Sequence, residues 1–326
     1  MEKRKLGNSG LEIAPLIFGG NVLGWTASEK TSFQLLDAFT AEGFNCIDTA
    51  DVYSRWARGN KGGESEKIIG KWIKKNGKRD KVIIATKVGK EMAPDKKGLS
   101  KKYIISAVED SLKRLQTDYI DLYQSHDDDT KTPFEETLEA YQQLIQQGKV
   151  RAIGASNYSA KRLLESIEVS KKNNLPRYES LQPLYNLYDR NDFERELQQT
   201  CIQNNIGVIT FYSLARGFLT GKYRSENDLY KSARGEGIRK FLNHRGMRIL
   251  AALDNLSQTY QTTPAALALA WLIAQPGISG AITSATSVEQ LDELKMAAEI
   301  KLDHSAMVTL MKASAYQNFP ADGADD

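Results

Sequence analysis

Four polar side chains stand where short apolar, β-rich runs of the sequence give out. Asp48 closes the apolar part of NCIDTA, Tyr53 follows five residues later, Lys87 ends IIATK, and His126 comes two residues after YIDLYQ. A phenol is too weak an acid at neutral pH to protonate a carbonyl oxygen quickly, but an ammonium beside it stabilises the phenolate and lowers its pKa. Lys87 supplies such an ammonium, Asp48 can hold it charged and aimed, and His126 can donate a hydrogen bond that orients a substrate oxygen. The set offers a proton and an oxyanion site but no electrons, so reduction would need a cofactor that carries hydride.

Taken singly, each residue has a plainer reading. Asp48 can cap a loop, Tyr53 is one of 14 tyrosines, and Lys87 can lie along the surface with only its head in water. His126 precedes Asp127, Asp128 and Asp129, a triplet that reads as a solvated turn rather than a metal site. Joint placement is what gives the four their weight.

That placement follows from the elements around them. Candidate strands cover 15–19, 45–50, 81–87, 118–124, 150–156, 180–185, 207–212 and 279–284, and amphipathic helical patterns alternate with them over 29–41, 65–75, 101–115, 133–146, 159–172, 193–204, 264–275 and 287–299. Eight such units in a chain of 326 residues predict a closed (β/α)8 barrel, with the KRKLGNSGLEI start as a β-hairpin capping its bottom. A doubly wound open sheet is the rival, but no G-x-G-x-x-G follows a strand. In a barrel the active site gathers at the C-terminal ends of the strands, where all four residues fall. Two irregular stretches, 54–63 and 213–243, interrupt the alternation and are expected to serve the site. Trp25 and Trp56, on loops after the first two strands, are candidates for an apolar substrate pocket. Glu64 and Glu66 are expected to support the start of the second helix through its dipole.

Several longer runs carry a resemblance. GFNCIDTADVYSRWARGNKGGESEKIIGKWI, IIATKV, LKRLQTDYIDLYQSH, GKVRAIGASNYS and IGVITFYSLARGFLTGKYR together resemble the aldo-keto reductase superfamily over roughly the whole chain. The resemblance implies that Asp48, Tyr53, Lys87 and His126 are a catalytic tetrad, with Tyr53 as general acid and hydride arriving from a nicotinamide. It further implies that Ser156, Asn157 and Gln182 hold the carboxamide and that Tyr212 stacks on the nicotinamide ring. Ser213, Leu214, Arg216, Gly217, Lys222 and Arg224 are the implied contacts of the pyrophosphate.

The adenosine end departs from the family pattern. Many members carry a run like P-G-A-R/S-T/S-P-E-Q-L-E-E-N, where this chain has Ser284 for the glycine, Thr286 for the frequent arginine and Leu294 for the final asparagine; Gln290 and Glu293 match. NADP(H) remains the expected cofactor, with NAD(H) the alternative, because Ser284, Thr286 and Gln290 can hydrogen-bond and Arg234 and Arg239 lie on a loop able to fold in.

Bulk composition narrows the class. Forty-four Lys and Arg against 41 Asp and Glu give a net charge of +3, too thin a field for nucleic acid. The N-terminal residues are charged, with no apolar stretch for a secretory signal or membrane span, so a cytoplasmic location is expected. Cys46 and Cys201 have no C-x-x-C spacing and are expected to be reduced, buried thiols, with no metal site. One domain over 1–326 is expected, ending in a flexible tail over 315–326. The partner implied is a small-molecule carbonyl compound, and the short segment after Met311 suggests an open pocket taking a broad range of aldehydes. The alternative is a nonenzymatic NADP-binding redox sensor or regulatory subunit. A third reading, Lys87 as the Schiff-base nucleophile of a barrel aldolase, is weakened because nothing around Lys87 announces a desolvated setting.

Overall fold

The computed structural model describes residues 2–77, 79–232 and 235–316. The chain opens with an antiparallel hairpin, β1 (Arg4–Lys5) and β2 (Glu12–Ile13), followed by eight parallel strands: β3 (Leu16–Gly19), β4 (Cys46–Asp48), β5 (Ile83–Val88), β6 (Ile120–Ser125), β7 (Val150–Ser156), β8 (Ser180–Gln182), β9 (Gly207–Thr210) and β10 (Ile278–Thr283). They close in the order β10-β3-β4-β5-β6-β7-β8-β9, so the expected (β/α)8 barrel is the fold. The expected tail falls mainly on residues outside those described.

Outside the barrel run α1 (Glu29–Ala41), α2 (Glu64–Asn76), α3 (Lys101–Leu115), α4 (Phe134–Gln146), α5 (Ala160–Asn173), α6 (Gln198–Gln203), α7 (His244–Tyr260), α8 (Pro264–Ile273), α9 (Val288–Lys295) and α10 (His304–Ala313). Their starts are written in local chemistry. Ser28, Ser100, Ser159, Asn243, Thr263, Ser287 and Asp303 each accept a hydrogen bond from the backbone N–H three residues on. Helices α7 and α10 lie beyond the eight-unit pattern, and they are joined where Arg245 and Arg248 donate to the carbonyls of Ala313, Ser314 and Ala315. The predicted sixth helix begins as a π-helical turn, Phe193–Leu197.

Strand alternation sorts the barrel interior into two chemistries. Ile17, Cys46, Ala85, Leu122, Ala152, Ile209 and Ile282 form an apolar lower layer with Leu6, Leu11 and Ile13 of the hairpin, which plugs the bottom. Gly7 and Gly207 sit in contact there, and a Cβ on Gly207 would lie 2.6 Å from the Gly7 nitrogen. Two residues further along β4, β5, β6 and β8 the inward positions become Asp48, Lys87, Gln124 and Gln182, all buried. The register pairs Lys87 with Gln124 and Ser156 with Gln182, and the Asp48 side chain reaches Lys87, Gln124 and Gln182 from β4.

Two predicted strands end early for visible reasons. Strand β8 stops before Pro183, which has no N–H to give, and β9 stops before Tyr212, whose φ of 51° leaves the extended region.

Candidate active site

The loop after β4 carries the first part of the site and stays tied to β5. The Thr49 N–H donates to the Ala85 carbonyl at 2.8 Å and the Asp51 N–H to the Lys87 carbonyl at 3.3 Å, which brings Tyr53 back over the barrel mouth. Lys87 Nζ then spends its three hydrogens on Asp48 Oδ2 at 2.6 Å, the Thr49 carbonyl at 2.7 Å and Tyr53 Oη at 2.9 Å. Tyr53 Oη lies 3.4 Å from the same Asp48 oxygen. The His126 ring sits 6.0 Å from the Tyr53 ring, centre to centre. The structure therefore brings together all four residues singled out in the sequence.

Two expectations about this group need correction. The Tyr53 phenol is not pulled down by its lysine: burial, then the Asp48 carboxylate, holds it well above the ordinary phenol value. Most of the lysine's charge faces Asp48, at the shorter distance. Lys87 is also fully desolvated, 0% exposed, contrary to the sequence reading, and burial lowers its pKa against the pull of Asp48. Desolvation does not make it a nucleophile, because Asp48, Thr49 and Tyr53 already occupy its three hydrogens. His126 is held neutral, its pKa well below normal through burial and then the charges of Lys87 and Lys90, and its Nδ1 has no hydrogen-bond partner.

Asp48 itself is held from behind. Gln182 Nε2 donates to Asp48 Oδ1 at 2.9 Å, Gln124 Nε2 donates to the same oxygen at 3.3 Å, and Gln182 Nε2 also reaches Gln124 Oε1 at 3.3 Å. Gln124 was missed in the sequence, although it stands two residues after Leu122 and two before His126, on the inward face of its strand.

A second buried polar group lies behind the barrel wall. Glu66 is 0% exposed; it accepts from Arg114 Nε at 2.6 Å and from Thr86 Oγ1 at 2.7 Å. It ties α2 to α3 and β5, a larger role than the dipole support expected of it. Asp51 is 2% exposed and both carboxylate oxygens lack a hydrogen-bond partner. Burial and the neighbouring Glu66 push its carboxyl up to about 8, with the charges of Arg114 and Lys87 offsetting only part of this.

The aromatic residues continue the mouth outward. Trp56 packs edge-on against Tyr53 at 5.9 Å and against Trp25 at 5.7 Å, with Trp56 49% exposed. The two tryptophans thus adjoin the phenol on one wall. The expected aspartate turn is not free: Asp127 accepts from Asn157, Asp128 pairs with Arg162 at 2.7 Å, and Asp129 accepts from the Leu99 N–H. Among the described residues no group of His, Cys, Asp or Glu is set to hold a metal, and Cys46 and Cys201 are free and buried.

The remaining candidates divide into exposed groups and structural ties. Tyr212, 37% exposed, is held in its left-handed conformation by Asn186, which donates to the Tyr212 carbonyl at 3.0 Å, and the Arg216 guanidinium lies 4.5 Å from its ring centre. Leu214 precedes three residues with positive φ, Ala215, Arg216 and Gly217. The Ala215 and Gly217 N–H groups donate to the Tyr212 and Leu214 carbonyls at 2.7 and 2.8 Å, so the loop is closed by its own short turns. Lys222 Nζ lies 5.0 Å from the Tyr223 ring centre. Ser213 Oγ is committed to the Ile282 carbonyl at 2.7 Å, leaving only its backbone for a ligand. Ser156 Oγ donates to the Gln182 carbonyl, and the Asn157 amide nitrogen donates to the His126 carbonyl, each at 2.9 Å.

At the expected adenosine end the hydrogen-bonding groups are engaged with one another. Ser284 Oγ bonds the Gly19 carbonyl and Asn21, Gln290 Oε1 accepts from the Thr286 N–H and hydroxyl, and Glu293 is exposed. Arg224 forms a two-pronged pair with Asp254, Arg239 pairs with Glu226 and Glu236, and Arg234 lies outside the described residues.

Comparison with known proteins agrees with this architecture. The model of the Aldo/keto reductase family matches residues 15–315. The chain is 36% identical to aldo-keto reductase YhdN of Bacillus subtilis (strain 168), covering 90% of this chain and 88% of that protein. It is 30% identical to Protein tas of Escherichia coli (strain K12), with 98% and 100% covered, and 32% identical to a probable voltage-gated potassium channel subunit beta of Arabidopsis thaliana, with 92% of each covered. With a matching family model over nearly its whole length and such relatives, this chain belongs to the aldo/keto reductase family of oxidoreductases.

Proposed function

We propose that the protein reduces aldehydes and ketones to alcohols with NADPH, NADH being the weaker candidate, and that Tyr53 is the general acid. The observation that carries this reading is the triangle of Asp48, Lys87 and Tyr53, a buried ion pair under a half-buried phenol, with Lys87 Nζ 2.6 Å from Asp48 Oδ2 and 2.9 Å from Tyr53 Oη. When bound, a reduced nicotinamide supplies hydride to the carbonyl carbon. Ser156, Asn157 and Gln182 would hold its carboxamide and Tyr212 its ring, while the loop from Ser213 to Gly217 would lie along the pyrophosphate, with the Arg216 and Lys222 cations to hold it.

The protein residues handle the proton. A phenol held well above its ordinary pKa keeps its proton at neutral pH but is weakened as an acid, so the transfer depends on stabilising the phenolate as it forms. As the proton leaves, negative charge grows on Tyr53 Oη beside an ammonium already aligned and buried, so little reorganisation is needed. Asp48 keeps that ammonium in place. Neutral His126 can donate to the carbonyl oxygen without competing for the proton. Trp25 and Trp56 give an aldehyde an apolar wall and help exclude water.

The test is turnover of an aromatic aldehyde with NADPH by wild type and Tyr53→Phe, alongside cofactor binding. Loss of turnover with binding retained supports Tyr53 as acid; a Tyr53→Phe variant that still reduces would overturn it. The plant potassium-channel β relative gives a second reading, a cofactor-binding regulatory subunit. Tight NADPH binding with no turnover of any carbonyl compound would favour it.

A further inference from the structure

The catalytic layer contains one side chain to which the reductase reading gives no part. Gln124 is 0% exposed, faces inward beside Lys87 in the register, and forms no hydrogen bond with the phenol or the ammonium. Its amide nitrogen donates to Asp48 Oδ1, opposite the oxygen that holds Lys87, and its carbonyl accepts from Gln182. The amide orientation follows from the network, since a flipped Gln124 would set its oxygen against a carboxylate oxygen.

Asp48 thus has its two oxygens divided. Oδ2 receives Lys87 and lies 3.4 Å from the phenol, while Oδ1 receives the two glutamines. The donors on Oδ1 fix the rotation of the carboxylate and draw its charge away from Oδ2. Both effects matter to Tyr53, because the Asp48 charge is one of the forces that raises the phenol. Of the two glutamines, Gln182 is the one that the resemblance assigns to the nicotinamide carboxamide. An amide that turns toward a ligand no longer serves Asp48 in full, and Gln124 is then the donor that remains.

We propose that Gln124 is a positioning residue for the reduction: its amide keeps Asp48 Oδ1 hydrogen-bonded, and Oδ2 on Lys87, while Gln182 engages the cofactor. The inference rests on the reading of Tyr53 as general acid. Gln124→Met keeps the length of the side chain and removes the donor. Alcohol oxidation with NADP⁺ requires the Tyr53 phenolate, so its rising limb with pH should move upward in this variant. Only part of what a hydrogen bond contributes to a carboxylate reaches the phenol through Asp48, so a shift of about one pH unit, and a roughly ten-fold loss of kcat on that limb, is the expected size. The cofactor Kd, read from quenching of tryptophan fluorescence, should stay within about three-fold, as one neutral contact outside the ligand implies.

Gln124→Glu adds a reading that packing alone would not produce. Its carboxyl can donate to Asp48 only when protonated, so aldehyde reduction should be lost at neutral pH and recover on acidification, by a factor larger than in wild type. Should the Met variant fail to fold, the nearly isosteric Glu variant carries the test. An unmoved pH limb, a Kd that weakens in step with kcat, or a Glu variant with the wild-type pH profile would each overturn the proposal. Wild-type turnover that depends on Tyr53 while both Gln124 variants behave as wild type would refute the role of Gln124 alone; absence of wild-type turnover would remove the reductase reading and this inference with it.

Discussion

Asp51→Asn should stabilise the protein at alkaline pH relative to acid pH. Asp51 is 2% exposed, its carboxylate oxygens have no hydrogen-bond partner, and its pKa rises from 3.8 to about 8 through burial and the charge of Glu66. Tyr103 and Tyr123 also feel its charge, and Arg114 and Lys87 are the nearby cations. Between about pH 4 and pH 8 the unfolded chain has released this proton while the folded chain keeps it, so stability falls as pH rises across that window. At ~1.4 kcal/mol per pH unit the displacement from 3.8 to about 8 sets a ceiling of about 6 kcal/mol. Dielectric response of the interior and the opposing charge of Arg114 reduce this to about 2–3 kcal/mol.

Asparagine has nearly the same shape and no titration, so the pH-dependent part vanishes in the variant. With about 2.1 cal/mol/K of unfolding entropy per residue over 326 residues, 2–3 kcal/mol corresponds to roughly 3–4 °C in Tm. The measurement is Tm of both proteins from pH 4.5 to pH 8.5 by calorimetry. The difference, variant minus wild type, should grow by that amount across the range. A difference that stays constant with pH would show that Asp51 ionises freely in the folded state and would refute the argument.

Arg114→Met should be costly, because it leaves Glu66 buried without its cation: about 3–5 kcal/mol by denaturant unfolding, largely recovered by adding Glu66→Gln. Full stability in the single variant would mean that Glu66 is neutral in the fold. Arg239→Ala tests the cofactor's adenosine end. If the arginine leaves Glu226 and Glu236 for a 2′-phosphate, NADPH binding should weaken roughly ten-fold with NADH binding unchanged. Equal changes for both cofactors would exclude that contact.

Much of this molecule is legible in the residues because its information is local. Short apolar, β-rich runs alternating with amphipathic stretches were enough to count eight units, and a closed parallel barrel leaves few other arrangements for eight such units of this length. Asp48, Tyr53, Lys87 and His126 were found because each stands at the end of a strand or on the loop that follows it, where a barrel gathers its chemistry. The lower boundary of the site is also readable once the faces are assigned, since Cys46, Ala85 and Leu122 each precede a polar inward residue by two positions.

Other properties required the folded chain. Gln124 became visible only when the register set it beside Lys87, and register is a relation between strands rather than a property of either. Glu66 and Arg114 are 48 residues apart and meet because α2 packs against α3. The sign of the Tyr53 shift depended on tertiary structure for the same reason. Residue types announced an ammonium and a carboxylate near a phenol, whereas burial and the three distances decided that the lysine would serve Asp48 first. The sequence by itself determined which groups gather at the barrel mouth; their protonation, and the partner each one holds, followed from desolvation and from contacts that only the closed barrel makes.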